Sequence, residues 1–218
     1  MNFKINNWLI GCGTIGPMIF VIVFLIEDFT RVGFNPIRNL VSQLSLGDGG
    51  WINIINLILF GALTILFSLG IRSQSGESGK GIASPTLFMV LGCALILGGI
   101  FVIDPGLGYP PNSKPAFSMA GLVHQIAGLV IFVSFAANCL VTAKKLGKDA
   151  ATKGFKIASI AFGIIIPVSW IIASIMISLE YSETLVPAPS GLFERVSLIA
   201  ACGWMVLLSQ EILNMRRN

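Results

Sequence analysis

The stretch GCGTIGPMIFVIVFLI, residues 11–26, contains no charged side chain. A helix needs about 20 mostly apolar residues to cross the hydrocarbon core of a bilayer, and this stretch reaches that length with its flanks. We interpret it, and similar runs further along the chain, as membrane-spanning helices, because they lack the strict alternation of barrel strands. The other runs are 52–71, 85–103, 117–143, 157–179 and 198–208.

The composition supports the same interpretation. Of the 218 residues, 55% are hydrophobic and 11% are charged, whereas a soluble domain carries about 25% charged residues. We therefore predict an all-α polytopic membrane protein, with residues 1–218 forming one domain and six helices forming one bundle. The predicted spans are 8–28, 51–72, 83–104, 117–143, 153–180 and 191–213.

The basic residues predict how these spans are oriented. If the N-terminus is cytoplasmic, ten of the 14 Lys and Arg residues lie in cytoplasmic segments and four lie outside. The positive-inside rule favours this arrangement, so we expect a cell-membrane protein with both termini in the cytoplasm. The net charge of +4 then follows from membrane insertion, and we predict no nucleic-acid partner. Membrane lipid is the partner that we expect.

The first outer loop is unusually polar for such an apolar chain. It reads NPIRNLVSQLSLGDGGW over residues 35–51. Asn35 is a good helix cap and Pro36 suits the first turn, so we predict a short amphipathic helix over about 36–46. This helix either lies flat in the interface or dips back into the bundle. Its apolar face would hold Ile37, Leu40, Val41 and Leu44, and its polar face Arg38, Ser42 and Ser45.

Further polar groups are expected at the same depth. His124 is the only histidine, and Gly121 and Gly128 on its helical face leave room beside the imidazole. Asp104 ends the third span, and Glu194 with Arg195 opens the sixth. Each of these features also has a purely structural interpretation: an interhelical hydrogen bond for the histidine, a helix stop for Asp104, and ion pairs or interfacial anchors for Glu194 and Arg195.

These residue types allow two kinds of chemistry. Ser42, His124 and Asp104 are the types that a hydrolase combines as nucleophile, base and orienting acid. Arg38 and Arg195 would suit an anionic headgroup, since guanidinium binds phosphate through two hydrogen bonds. One histidine excludes a three-histidine zinc site and a bis-histidine haem but leaves open a zinc ion held by that histidine with carboxylates. No phosphate-loop or dinucleotide motif is present. We predict no cofactor and no metal.

Four stretches, FNPIRNLVSQLSLGDGGW, VIDP, GLVHQIAG and FERV, together resemble the bacterial and archaeal membrane family called domain of unknown function 998. The resemblance covers nearly the whole chain and implies a six-span bundle, but it implies no activity. More distantly, the chain is similar to six-pass eukaryotic proteins that include a lipid-remodelling factor for glycosylphosphatidylinositol anchors. The polar positions that match the family are Asn35, Pro36, Ser42, Gln43, Ser45, Asp104, His124 and Arg195.

Three functional hypotheses follow. The first is an outer-side site that binds or remodels the headgroup of a lipid or another amphiphile, as a hydrolase or transferase if it is an enzyme. The second is a transporter of a small solute or an ion-coupled carrier, and the third is a membrane scaffold without catalysis. Under the first hypothesis the catalytic residues are His124, Asp104 and Ser42. The substrate-binding residues are Arg38, Arg195, Asn35, Ser45, Gln43 and Glu194.

Overall fold

A computed structural model describes residues 3–75, 82–146 and 152–215 of the chain. Lys80, Lys148, Arg216 and Arg217, which contributed to the charge count above, lie outside these ranges. Within the ranges the chain forms six α-helices and one short 3-10 helix, Val41–Ser45, and no β-strand. The α-helices are α1 Phe3–Thr30, α2 Gly50–Ser75, α3 Pro85–Ile100, α4 Met119–Lys145, α5 Lys153–Tyr181 and α6 Ser190–Met215.

The helices match the predicted spans in number and order. Five of them are long and apolar enough to cross a membrane, and α3 is a shorter apolar helix of 16 residues. This confirms the predicted all-helical class and makes the protein a multi-pass membrane protein. The third span was predicted to extend over 83–104, but its helix stops at Ile100. The helix ends there because Gly98 and Gly99 weaken its last turn and Pro105 favours extended backbone just before it.

The six helices form a closed antiparallel ring. Each helix packs against its neighbours in sequence, and α6 returns to pack against α1. Two polar contacts join α1 and α6. Thr14 donates a hydrogen bond to Ser209 Oγ, and Arg195 forms an ion pair with Asp28. Residues 31–49, 101–118 and 182–189 connect helices at what we call the loop end. The start of α1 and the end of α6 lie at the opposite, terminal end.

Large aromatic side chains fill the middle of the ring. Phe88 packs between Phe67 and Trp204, with ring centroids 5.0 and 6.2 Å apart. The backbones of α2 and α3 approach closely beside them, since a Cβ atom added at Gly61 would lie 2.6 Å from the carbonyl oxygen of Gly92. Small residues are the usual means of such close packing between helices in membranes.

The predicted amphipathic helix over 36–46 is only partly present. Asn35 Oδ1 accepts a hydrogen bond from the Ile37 N–H, as a cap would, but helical structure is confined to the 3-10 helix Val41–Ser45. The reason is tertiary. The carbonyl oxygens of Ile37 and Arg38 accept hydrogen bonds from Leu192 and Gly191 at the start of α6, so they do not continue a local helix.

The 3-10 helix dips into the loop end of the ring instead of lying flat. Val41, Gln43, Leu44 and Ser45 are buried, and the segment contacts α1, α2 and α6. Of the expected apolar face, Leu40, Val41 and Leu44 point inward while Ile37 is exposed. This burial within the bundle favours the re-entrant alternative over the interfacial one that the sequence left open.

A buried ion pair fastens this segment. Arg195 Nη2 lies 2.5 Å from Asp28 Oδ1, and Arg195 Nε lies 2.8 Å from Asp28 Oδ2. Arg195 Nη1 donates to the carbonyl oxygens of Asn39 and Gly191 at 2.8 and 2.9 Å, and the guanidinium lies over the Phe34 ring. One side chain of α6 therefore joins α1, the first loop and its own helix.

Neighbouring side chains also hold the 3-10 helix in place. Glu194 Oε2 accepts a hydrogen bond of 2.5 Å from the Val41 N–H. Asn53 Nδ2 donates to the Val41 carbonyl oxygen at 3.1 Å and to Ser45 Oγ at 2.9 Å. Buried backbone groups must be hydrogen-bonded in an apolar environment, and α6 and α2 provide the partners here.

We expect Asp28→Ala to destabilise the protein by about 3–5 kcal/mol, because it leaves the Arg195 charge buried without its partner. The free energy of unfolding in detergent solution measures this effect. Asp48→Ala is the matched control, since Asp48 is an exposed acid in the first loop, at the same end of the bundle. Equal loss of stability in the two variants would contradict the structural role assigned to the pair.

Candidate functional site

The orientation of His124 is set by the early end of α3. Its Nδ1 atom lies 2.9 Å from the carbonyl oxygen of Gly98 and 2.8 Å from that of Phe101. The last carbonyl groups of a helix have no hydrogen-bond partner within the helix. The carbonyl groups of Gly98 and Phe101 have His124 on α4 as their partner. Because both partners only accept, Nδ1 carries the proton, and neutral His124 keeps a bare lone pair on Nε2.

The described residues provide no hydrogen-bond partner for Nε2. The side chain is 8% exposed, and it lines a cavity of about 800 Å³ at the loop end. Other polar residues that line this cavity include Ser42, Gln43, Asp104 and Glu194. A smaller adjoining cavity of about 60 Å³ shares Ser42, His124 and Glu194 with it. These three side chains therefore form the polar centre of the site.

The larger cavity reaches the apolar surface of the ring between α4 and α5. Ile126 and Leu129 on α4 line it and are also exposed on the outer surface of the bundle. Trp170 and Ile177 on α5 form the opposite wall, and Trp170 stacks on Phe132 with ring centroids 5.4 Å apart. The site thus joins a polar interior to an apolar groove that faces the membrane side.

Two glycines of α4 have different roles here. A Cβ atom added at Gly128 would have no atom within 4 Å, so this glycine opens the cavity and does not serve helix packing. A Cβ atom at Gly121 would collide with the Asp104 carboxylate. The sequence predicted room beside His124 from both glycines, and the structure shows that Gly128 provides it.

Asp104 binds Ser118, the N-cap residue of α4, and does not hydrogen-bond to His124. Its Oδ2 accepts from the Ser118 N–H at 2.8 Å and its Oδ1 from the Ser118 hydroxyl at 2.6 Å. Ser118 Oγ in turn accepts from the Gly121 N–H at the start of α4. The expectation that Asp104 orients the imidazole is not met, because two backbone carbonyl groups occupy that position. Asp104 still lines the larger cavity.

The two arginines expected to hold a headgroup lie away from the cavity lining. Arg195 is buried in its pair with Asp28, as described above. Arg38 Nε lies 2.6 Å from Glu180 Oε1 at the end of α5, and Glu180 Oε2 accepts from the Ala188 N–H at 2.8 Å. Both guanidinium groups hold loops together, which is the ion-pair interpretation that the sequence left open for Arg195.

The remaining predicted residues also stabilise the loops. Gln43 Nε2 donates to the Gly106 carbonyl oxygen at 2.5 Å, so it ties the first loop to the second while lining the larger cavity. Asn35 and Ser45 line neither cavity. Asn35 shapes the turn before the 3-10 helix, and Ser45 receives the hydrogen bond from Asn53 described above.

Sequence reasoning missed the contribution of α5. The fifth span carries no charged group between Lys156 and Glu180, so nothing marked it as part of a polar site. Trp170, Ile177 and Tyr181 nevertheless line the cavity. The available signal was Trp170, a large aromatic residue in the middle of an apolar run. Over the part of the chain that the structure covers, no group of three or more His, Cys, Asp or Glu residues could hold a metal ion.

Comparison with known families identifies the chain. The family model described as "Protein of unknown function (DUF998)" matches residues 14–211. The match spans most of the sequence, so the chain belongs to this family, in agreement with the resemblance of its motifs. No curated protein and no solved structure matches the chain.

We predict that neutral His124 is present as the Nδ1–H tautomer. His124 is the only histidine, so the nitrogen NMR spectrum of protein labelled at histidine reports this one ring. At alkaline pH we expect a protonated Nδ1 resonance and an unprotonated Nε2 resonance. A spectrum with the proton on Nε2 would show that the contacts to Gly98 and Phe101 do not set the tautomer.

Proposed function

We propose that this protein binds the headgroup of a membrane amphiphile in the cavity at the loop end, with the hydrocarbon chain in the groove between α4 and α5. The observation that carries the proposal is His124 Nε2, which has no hydrogen-bond partner among the described residues and lies in a cavity that is polar inside and apolar at its mouth. Binding pockets commonly combine mostly apolar walls with a few convergent polar groups, at volumes of roughly 300–1,000 Å³.

The shape of the site supports an amphiphile over a small polar solute. Phe132 lies where the two cavities meet, and Ile126 and Leu129 continue the apolar wall to the outer surface. A hydrocarbon chain would replace membrane lipid against this wall. The headgroup would then reach Ser42, His124 and Glu194 without crossing the bundle.

The two other hypotheses have less support. A scaffold was expected to pair its polar groups and leave no cavity, whereas His124 Nε2 faces one. A transporter was expected to continue the polar lining through the other half of the bundle. Below the site the ring is instead filled by Phe67, Phe88 and Trp204, all of which are fully buried.

A reaction on the bound amphiphile is a second candidate function. Ser42 and His124 line the same cavity, and Nε2 is the nitrogen able to accept a proton from a hydroxyl group. Lipid hydrolysis or acyl transfer, with Ser42 as nucleophile and His124 as base, is the reaction class that this pair suits. The lipid composition of cells that produce His124→Ala or the unaltered protein tests it. Identical compositions at equal protein abundance would reject the reaction.

We further propose that the loop end faces the outside of the cell and that both termini are cytoplasmic, as the 10-to-4 distribution of basic residues indicates. Green fluorescent protein fused to the C-terminus should then fluoresce, and alkaline phosphatase fused there should be inactive. The reverse result would place the cavity on the cytoplasmic side.

Photocrosslinking tests the binding proposal. The probe is a monoacylglycerol of 16 carbons with a diazirine in its chain, added to the protein in detergent micelles. We expect labelled peptides from α4 and α5 that include Leu129 or Trp170. Gly128→Phe should reduce this labelling by roughly tenfold or more, because its ring fills space that is empty at Gly128 and displaces a buried chain.

Gly203→Phe is the matched control. Gly203 is exposed on α6, and a Cβ atom there also meets nothing within 4 Å, so this variant adds the same ring outside the site. Its labelling should equal that of the unaltered protein. Equal labelling of the Gly128 and Gly203 variants, or label spread evenly over all six helices, would reject the proposed binding site.

A further inference from the structure

The basic residues around the cavity are already neutralised. Arg31 lies 2.8 Å from Glu27, Arg38 lies 2.6 Å from Glu180 and Arg195 lies 2.5 Å from Asp28. Each of these guanidinium groups therefore has its own carboxylate. Lys114, the other base of the described loop end, is exposed. None of these four residues lines either cavity.

Two acidic side chains line the cavity without a cation of their own. Glu194 is 9% exposed. Its Oε2 accepts the Val41 N–H, and the residues that the structure describes place no hydrogen-bond donor on Oε1. Asp104 accepts hydrogen bonds only from the neutral N–H and O–H groups of Ser118. These contacts satisfy its carboxylate oxygens but do not balance its charge.

The unpaired hydrogen-bonding groups of the site are mostly acceptors. His124 Nε2 has a lone pair and no proton when the ring is neutral, and Glu194 Oε1 likewise accepts when the carboxylate is ionised. Ser42 can donate or accept. An anionic headgroup would meet two carboxylates and no free guanidinium or ammonium group. Like charges placed together in a binding site strongly oppose binding, so the anionic headgroup expected from the sequence does not fit this lining.

We propose, building on the amphiphile site described above, that the ligand carries a protonated amine in its headgroup, which donates hydrogen bonds to His124 Nε2 and Glu194 Oε1. An ammonium group provides three donors and one positive charge. It therefore satisfies both buried acceptors and balances the charge of Glu194. The aliphatic chain of the amine lies along Ile126, Leu129 and Trp170 in the groove.

The donors distinguish a primary amine from other cations. A quaternary ammonium group has the same charge but no N–H, so it would leave both acceptors unpaired. Each hydrogen bond that involves a charged group strengthens binding by roughly tenfold or more. The site should thus prefer a primary amine to a quaternary ammonium, and either cation to an anion with the same chain.

Competition binding tests this inference with four amphiphiles that each have a chain of 16 carbons: hexadecylamine, hexadecyltrimethylammonium, hexadecanol and palmitate. Radiolabelled hexadecylamine is bound to the full-length protein in micelles of an uncharged detergent, and the others are added as competitors. We expect the amine to bind roughly tenfold more tightly than the quaternary ammonium and at least about 100-fold more tightly than palmitate. Binding to the Gly128→Phe variant gives the background.

Glu194→Gln separates charge from shape. An amide oxygen can still accept the Val41 N–H, but the charge is removed, so the amine affinity should fall roughly tenfold or more while the hexadecanol affinity stays unchanged. Glu183→Gln is the control, since Glu183 is an exposed acid of the loop end that lines neither cavity. Thermal melting of both variants verifies that they fold.

The outcomes separate this inference from the function on which it rests. If all four amphiphiles bind in a manner that Gly128→Phe abolishes, but palmitate or hexadecanol equals the amine, the amine preference is rejected and the amphiphile site stands. If none of the four shows binding that Gly128→Phe reduces, the amphiphile site is itself rejected. An amine affinity that is equal in Glu194→Gln and the unaltered protein would also overturn the proposed contact.

Discussion

The structure depends on one constraint: a loop that enters an apolar bundle must have every backbone hydrogen-bonding group satisfied by protein. The first loop meets this constraint through α6. Glu194 accepts from the Val41 N–H, Arg195 donates to the Asn39 carbonyl oxygen, and the first N–H groups of α6 donate to the loop in return. The re-entrant segment and the start of α6 thus provide the hydrogen-bond partners that each other's backbone needs. Ser42 reaches the cavity because this exchange fixes the segment below the surface of the bundle.

Hydrogen bonds at the ends of helices also organise the site. The third helix ends early and leaves the carbonyl groups of Gly98 and Phe101 for His124. This contact fixes the ring and leaves its other nitrogen unpaired. Asp104, which follows on the same extended segment, binds Ser118, the N-cap residue of α4, and so positions the helix that carries the histidine. Local helix ends, and not a conventional acid–histidine pair, therefore determine the chemistry available in the cavity.

Composition and apolar runs predicted the helices, since span length is a property of local sequence. The same reasoning placed a helix over 36–46, because Asn35, Pro36 and the apolar spacing all favour one. It failed there because the carbonyl groups of Ile37 and Arg38 bond to α6, a contact between residues more than 150 positions apart. It also assigned Arg195 to a ligand, since a sequence does not show that Asp28 lies beside it. His124, Ser42 and Glu194 were found as polar groups in an apolar chain, whereas the wall formed by α5 carried no such signal.

The closure of the ring by α6 has a consequence for biosynthesis. Arg195 is made 167 residues after Asp28, and at about 5–20 residues per second this interval lasts roughly 10–30 s. During that time α1 already carries its acid, and the first loop has neither Glu194 nor Arg195 to hold it. The nascent chain must therefore keep this loop near water or against the insertion machinery until α6 enters the membrane. The polar centre of the cavity, to which α6 contributes Glu194, is therefore complete only after α6 has packed against α1 and the first loop.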